Sequence, residues 1–492
     1  MTSKEIRDQY ILTVGIECHV QLKTRTKLFA AVDNDAREAP ANTLVSHICF
    51  GLPGALPVLN EEAVHLASRA AFALGTVPQK FSKFDRKHYF YPDLPLGYQI
   101  TQFAEPIVLG GSVTVNVDGA KKEVGITRAH IEADAGKSTH PTGKDYSLVD
   151  LNRAGTPLLE IVSEPDMHTA AEAKAYVREL YLRMKYADVS DCNLYYGNMR
   201  FDVNVSVSKD STKLGTRSET KNLNSFRAVE KAIEFETARQ IGLLEKGEQI
   251  LQETRGWNDA KQKTFSQRTK EDAHDYRYFP DPDLPPVVLD DAYIAKVHDE
   301  MPTMPDVWRE RLGALGLDAA QIETILEAQV ESSEVEYLAL IENTSHDQVF
   351  TKQLLNWFVN IEIPLRRNGE VANKADNNKR LAFYAEIHRL VQMNKMNSSS
   401  AKTFIGDVLA ASDYPKDVAA HAEEQGFIQV SDEGEINKIV ATVLADNPQA
   451  VNDVKAGEMK AIGFIVGQVM KASKGKANPS LAQEFIKKQL NL

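Results

Sequence analysis

Cysteine is scarce: Cys18, Cys49 and Cys192 are the only three in 492 residues, widely separated and in no C-x-x-C pair. Neither a disulfide framework nor a cysteine zinc site is indicated, and the three are expected as reduced thiols. Long apolar runs are lacking too. None approaches the ~18 residues a membrane helix needs, and the opening MTSKEIRDQY lacks the charged-then-apolar layout of a secretory signal. The expectation is a cytoplasmic protein with no membrane partner. An excess of positive charge is also missing, because 57 Lys and Arg stand against 69 Asp and Glu for a net charge of -12. That balance excludes a protein that coats nucleic acid with its whole surface. The widespread catalytic signatures are absent as well. Ala135-Gly136-Lys137-Ser138-Thr139 ends like a phosphate-binding loop, but position 131, where that pattern needs glycine, is Ile131. There is no H-E-x-x-H, no G-x-S-x-G and no G-x-G-x-x-G.

What is present is an ordinary globular composition, 43% hydrophobic and 26% charged, in a length that suits about three domains. Up to about Pro286 the chain is strand-rich and dense in Gly, Pro, Asn and aromatic residues. After about Val287 it turns into long amphipathic helices. Between them, Phe279 to Pro286 carries four prolines and reads as an extended connector, since each proline removes a donor and fixes φ. The fold class expected is therefore α+β: a catalytic body over 1–294, a helical domain over 295–365 and a small helical tail over 366–492. The tail holds a local basic patch. From Lys455 to Leu492, seven lysines (455, 460, 471, 474, 476, 487, 488) face only Glu458 and Glu484.

Three strands should present one chemical face each. Val14, Ile16, Cys18, Val20 and Leu22 alternate with residues that include Glu17 and His19, so those two share a polar face. Val113, Val115 and Val117 run into Asp118-Gly119, a hairpin turn whose return strand carries His130, Glu132 and Asp134 two apart. Phe201 to Val207 alternates with Arg200, Asp202, Asn204 and Ser206. Glu160 stands alone inside the apolar run Pro157 to Val162, where a carboxylate is costly unless paired or bound to a cation. Carboxylates with a histidine suit a hard divalent ion that also holds phosphates, although ordinary cross-strand polar pairs would leave the same spacing. The segment from Asp85 to Pro95 packs cations and aromatics around a rigid turn, as a nucleotide contact or an aromatic-anchored surface loop would. Lys221 to Arg227 contains a helix cap, Asn224 or Ser225, that either faces an anion or is simply a cap.

Taken together, GIECHVQL at 15–22, GLPGALP at 51–57, DRKHYFYPDLP at 85–95 and HIEADAGKSTH at 130–140 resemble the B subunits of bacterial glutamyl/aspartyl-tRNA amidotransferases. The stretches DLNRAGTPLLEIVSEPD at 150–166, KNLNSF at 221–226, HDYRYFPDPDLPP at 274–286 and GQVMKASKGKANP at 467–479 extend that resemblance over nearly the whole chain. It implies a cradle-like catalytic body, then a helical domain and a small helical tail that grip tRNA. It implies a three-subunit ligase: an amidase A subunit releases ammonia from glutamine, a small C subunit ties A to B, and B uses ATP to activate the misattached side chain as an acyl phosphate. Ammonia then displaces phosphate, turning Glu-tRNA(Gln) or Asp-tRNA(Asn) into Gln-tRNA or Asn-tRNA. The cognate aminoacyl-tRNA synthetase is a further partner candidate.

The same resemblance implies a magnesium site at Glu17, His19, Glu132 and Glu160, with His130 as a neighbour, and catalytic roles for Glu17, Glu132 and Lys87. Arg86, Tyr89, Tyr91, Arg153, Arg200 and Asn204 would line the nucleotide and substrate pocket. Some members bind zinc through cysteine pairs near 30–50, where this chain keeps only Cys49, so no zinc is expected. No Ser-Ser-Lys amidase signature is seen, so this chain alone should not hydrolyse glutamine. A tRNA-binding scaffold without chemistry is the alternative reading.

Overall fold

The computed structural model describes residues 4–269, 275–332, 334–374, 376–428, 433–456, 458, 460–473, 477 and 479–490. The chain divides into two compact units, one running to Val307 and one from Trp308.

The first unit is α+β. Among the described residues its frame is a twelve-stranded mixed sheet. The strands that matter here are β1 (Ile11–Gln21), β2 (Asp85–His88), β3 (Tyr98–Thr101), β4 (Ser112–Val117), β5 (Ala120–Ala133), β6 (Pro157–Ser163), β7 (Met199–Ser208), β8 (Ser218–Leu223), β9 (Glu253–Asn258), β10 (Lys263–Thr269) and β11 (Phe279–Pro280). Their order across the sheet is β10-β9-β8-β7-β1-β6-β5-β3-β2-β11, with β4 hairpinned onto β5. The hairpin closes at Asp118 (φ 51°) and Gly119 (φ 84°), the two left-handed residues that a twist-matched two-residue turn demands. The expected connector contributes an edge strand: Phe279 and Pro280 pair with Arg86 and Asp85, an edge being where proline's missing donor does no harm.

Alternation decides which residues reach the core. On β1, Val14, Ile16, Cys18 and Val20 are at most 1% exposed, while Glu17 and His19 between them stay half-buried on the other face. Ile161, Ile131, Phe201 and Val203 continue the apolar side. Helices α1 (Glu61–Ala73), α2 (Ala170–Tyr186) and α3 (Phe226–Leu244) bring Ala67, Ala70, Tyr176, Val177, Val229 and Ile233 into the same core. Each fully buried aliphatic side chain contributes roughly 1.5–3 kcal/mol. Asn60, Thr169 and Ser225 start these helices by accepting from backbone amides two or three residues ahead.

The second unit is helical. Trp357, Phe358, Phe383, Tyr384 and Phe404 form an aromatic core around a single π-helical turn, Phe358–Glu362. Inside it Glu362, fully buried, accepts from Arg366 (2.9 Å) and Tyr384 (2.6 Å) and faces the equally buried Arg380 at 3.3 Å. This network joins residues on both sides of position 365. The stripes at 436–444 and 462–470 close a separate small core with Ala482, Phe485 and Ile486. Lys455, Lys460, Lys471 and Lys488 of the basic patch are exposed, and Lys474 and Lys476 lie outside the described residues.

Removing one partner of a buried ion pair strands the other charge. Glu362→Ala should therefore cost about 3–5 kcal/mol, read as a lowered urea midpoint followed by tryptophan emission, since Trp308 and Trp357 both lie in this unit. An unchanged midpoint would show that Arg380 needs no counter-charge.

Candidate active site

The polar face of the sheet gathers its carboxylates through register. His19 on β1 lies opposite Glu160 on β6, and Glu160 lies opposite His130 on β5. Glu132 follows two residues on, opposite Leu158 and Thr101. The result is a compact group: His19 Nε2 is 3.3 Å from Glu160 and 3.8 Å from Glu132, and His130 Nε2 is 3.7 Å from each of them. Burial opposes a charge on His19, but the hydrogen bond and field of Glu160 win and raise its pKa to about 9. Burial likewise pushes Glu160 up, and His130 and His19 outweigh it, holding the carboxyl well below the usual range. Among the described residues, the buried His19 Nδ1 and His130 Nδ1 meet no hydrogen-bond partner.

One nitrogen and two carboxylate oxygens, from His19, Glu132 and Glu160, lie within 4.8 Å of one another. Two hard carboxylate oxygens and one imidazole nitrogen from three adjacent strands can hold a divalent cation and leave positions for water or phosphate oxygens. Glu17 falls in a second group with Asp202 and Glu219 rather than in this one. Its carboxylate accepts from Asn204 at 3.1 Å, and burial followed by the field of Glu160 raises its pKa. Lys221 sits between the other two members, 2.9 Å from Asp202 and 3.0 Å from Glu219. Glu17 and Asn204 also line a cavity of about 240 Å³ that reaches Ser206 and Arg217.

Cations flank both groups. Lys87 lies 4.9 Å from the ring centroid of Tyr276 and 5.8 Å from that of Tyr89. Burial disfavours its charge, yet Glu132 and other neighbours hold its pKa above the ordinary lysine value. Arg200 forks onto Asp134 (3.1 and 3.3 Å), and Arg153 reaches Asp134 at 3.3 Å while donating to the carbonyls of Ala135 and Gly136. Burial raises the Asp134 carboxyl, and Arg200 and Arg153 together bring it below its usual value.

Arg86 is committed elsewhere. Strand alternation turns it away from Lys87, and it binds Asp281 (2.8 Å) and Asp283 (2.7 Å) beneath the Tyr98 ring. Tyr89 contacts Gln99 and packs edge-on against Tyr91, which is half exposed. Glu219 and the rings of Tyr276 and Tyr278 join the site without having been singled out from the sequence, and Asp202 and Lys221, read there only as part of a polar strand face and of a helix-cap segment, join it as well. Tyr278 stacks on Phe103 at 3.9 Å. The available signals were a two-residue period, Glu219 and Lys221 in SETKNL and Tyr276 and Tyr278 in DYRYF, obscured by the neighbouring cap and proline run.

The unit that carries this carboxylate-lined sheet is matched over residues 12–295 by the model of the GatB/GatE catalytic domain, and a GatB domain model matches residues 339–490. Named relatives agree over full length. The B subunit of the aspartyl/glutamyl-tRNA(Asn/Gln) amidotransferase of Caldanaerobacter subterraneus subsp. tengcongensis is 43% identical over 485 residues, covering 98% of this chain and 100% of the relative. Its counterpart in Bdellovibrio bacteriovorus is 44% identical over 483 residues, covering 98% and 99%. The chain belongs to the family of aspartyl/glutamyl-tRNA(Asn/Gln) amidotransferase B subunits. Among the described residues no helix is long and apolar enough to cross a membrane.

Asp134→Asn leaves two guanidinium groups without their carboxylate. Because Arg153 is 44% exposed, the expected cost is about 2–3 kcal/mol, below that of a fully enclosed pair. Urea denaturation at constant slope measures it, and no loss of stability would mean that Asp134 is dispensable to the site's frame.

Proposed function

We propose that this chain, as the B subunit of a ligase that also contains an amidase A subunit and a small C subunit, uses ATP to phosphorylate the side-chain carboxylate of misacylated tRNA and then amidates it. The substrates are Glu-tRNA(Gln), Asp-tRNA(Asn) or both, and the work is done in the cytoplasm. The observation that carries this reading is the meeting of His19, Glu132 and Glu160 beside Lys87 on one sheet face, in a chain of this family.

A free carboxylate is a poor acyl donor because its leaving group would be oxide. Moving the γ-phosphoryl group of ATP onto it attaches phosphate as the leaving group, at the cost of crowding negative charge. A magnesium ion held by His19, Glu132 and Glu160 would neutralise phosphate oxygens at that point. Lys87, kept cationic by the neighbouring carboxylates, suits the incoming carboxylate or the transferred phosphate. Arg200 and Arg153, pinned by Asp134, suit further oxygens of the nucleotide or substrate. In the second step ammonia attacks the acyl carbon, the bond to phosphate breaks, and a proton leaves nitrogen. Glu17, with its raised pKa and its hydrogen bond from Asn204, suits that proton. The exposed lysines of the C-terminal helices suit phosphates of the tRNA.

Assembling the chain with its A and C partners and supplying ammonium chloride, ATP, magnesium and Glu-tRNA bypasses glutamine hydrolysis. Glu132→Gln should lower amide formation at least about 100-fold with tRNA binding retained. Full activity would instead favour a tRNA-binding scaffold without chemistry. Glu160→Gln should weaken Mn²⁺ binding at least about tenfold, followed by the paramagnetic resonance of free Mn²⁺. Equal affinity would remove Glu160 from the cation site.

A further inference from the structure

Lys27 is a buried cation that the acidic face does not use. It is 1% exposed, and its Nζ lies 2.8 Å from the Ala154 carbonyl oxygen, 3.3 Å from that of Leu151 and 3.5 Å from Cys49 Sγ. Carbonyl oxygens only accept, so two of the three open positions on the nitrogen are N–H groups turned toward them. The third faces sulfur, as a proton on an ammonium or as the lone pair of a free amine. Burial lowers the pKa of this lysine, which enlarges the share of free amine, while Cys49 acts the other way. Cys49 itself is 8% exposed and has Ser46 Oγ at 3.5 Å. Lys27 and Cys49 also share the wall of a cavity of about 50 Å³, otherwise formed largely by apolar groups such as Phe29, Ile48 and Leu94. That volume holds a molecule the size of a peroxide.

We propose that Lys27 and Cys49 form a redox modification site, at which a peroxide oxidises the thiol and the lysine amine then bonds to sulfur in a reversible cross-link. In the first step the Cys49 sulfur attacks one oxygen of hydrogen peroxide. The O–O bond breaks, sulfur is oxidised by two electrons to the sulfenic acid, and the other oxygen leaves as water. In the second step the Lys27 lone pair attacks sulfur, the S–O bond breaks, and the hydroxyl departs with an amine proton as a second water. The product is an S–N bond, formed with no further change in oxidation. Two equivalents of a thiol return the free thiol and amine and become a disulfide.

The fixed approach of nitrogen to sulfur favours this step over reaction with any outside amine. Cys18 and Cys192, at 0% and 1% exposed, provide an internal comparison because no lysine nitrogen is hydrogen-bonded to either among the described residues. The cross-link would leave Nζ a single N–H, so one of its two carbonyl bonds must go. Those carbonyls flank Arg153, and Gly155 of the same turn donates to the Asp134 carbonyl oxygen. Oxidation at Cys49 would thus be felt at the edge of the acidic face.

The site stands independently of the amidation reading, and its test needs no activity assay. The full-length chain is treated with hydrogen peroxide, its remaining thiols are alkylated, and it is mapped by mass spectrometry after trypsin. The expected result is a loss of about 2 Da, no cleavage after Lys27, and a peptide joining Lys27 to Cys49. Dithiothreitol should reverse all three, and Cys49→Ser and Lys27→Arg should each abolish the joined peptide. Cys49 alkylated as in untreated protein, or carrying one to three oxygens while trypsin still cuts after Lys27, would overturn the proposal. Because the decisive peptide comes from the unmutated chain, poor folding of either variant does not blur the outcome.

Discussion

A row of carboxylates gathered on one face of a packed sheet is the constraint to which the first unit answers. Glu17, Glu132, Asp134, Glu160, Asp202 and Glu219 share that region, and burial alone would drive such groups toward their neutral forms. Each described group is met by a donor or a cation: Asn204 for Glu17, the two histidines for Glu132 and Glu160, two arginines for Asp134, and Lys221 for Asp202 and Glu219. The opposite face of the same strands is apolar and sealed by helices. A slip of one residue would put Val20 into the acidic row and a histidine into the core. Core packing and charge pairing therefore select the same register, and neither can relax without the other.

That double selection matters for chemistry on phosphates. Groups already oriented by backbone pairing need not reorganise when charge develops on a bound substrate, and this is where most electrostatic catalysis arises. The partners that hold the carboxylates differ in how easily they yield. Lys87 is steadied by aromatic rings and by the field of nearby carboxylates, whereas Lys221 is bonded directly to two of them. The first can turn toward a substrate without breaking an ion pair, and the second cannot.

Much of this was legible in the sequence wherever the determining contact is local. The two-residue period around Cys18 announced a strand with Glu17 and His19 on its polar side, and Asp118-Gly119 announced the hairpin that carries His130 and Glu132. The expected α+β body followed by helices is the architecture found. What periodicity could not supply is which strands lie side by side. Glu160 meets His19 and His130 only because β6 is inserted between β1 and β5, a pairing set by the whole core. Glu17 illustrates the difference: it shares a strand face with His19, yet its ligand group is completed by β7 and β8. Arg86 was read with its neighbour Lys87, but successive strand residues point to opposite sides, and its acidic partners are almost two hundred positions away. Tyr276 and Tyr278 were hidden for the same reason, as residues of a proline-rich segment whose place is fixed only by the edge it joins.

That edge has a consequence for how the protein is made. The strand bearing Lys87 is closed by Phe279 and Pro280, and the Arg86 clamp spans 195 and 197 positions to Asp281 and Asp283. During synthesis the carboxylates on β1, β5 and β6 can come together as soon as residue 163 is available, while the far edge stays open until residue 283 has left the ribosome. More than a hundred residues of elongation therefore separate the completion of those three strands from the synthesis of the strand that caps this edge. Unpaired edges of this kind recruit foreign strands. During that interval the charges of Asp85, Arg86 and Lys87, carried by the uncapped strand itself, are what discourages foreign pairing at this edge.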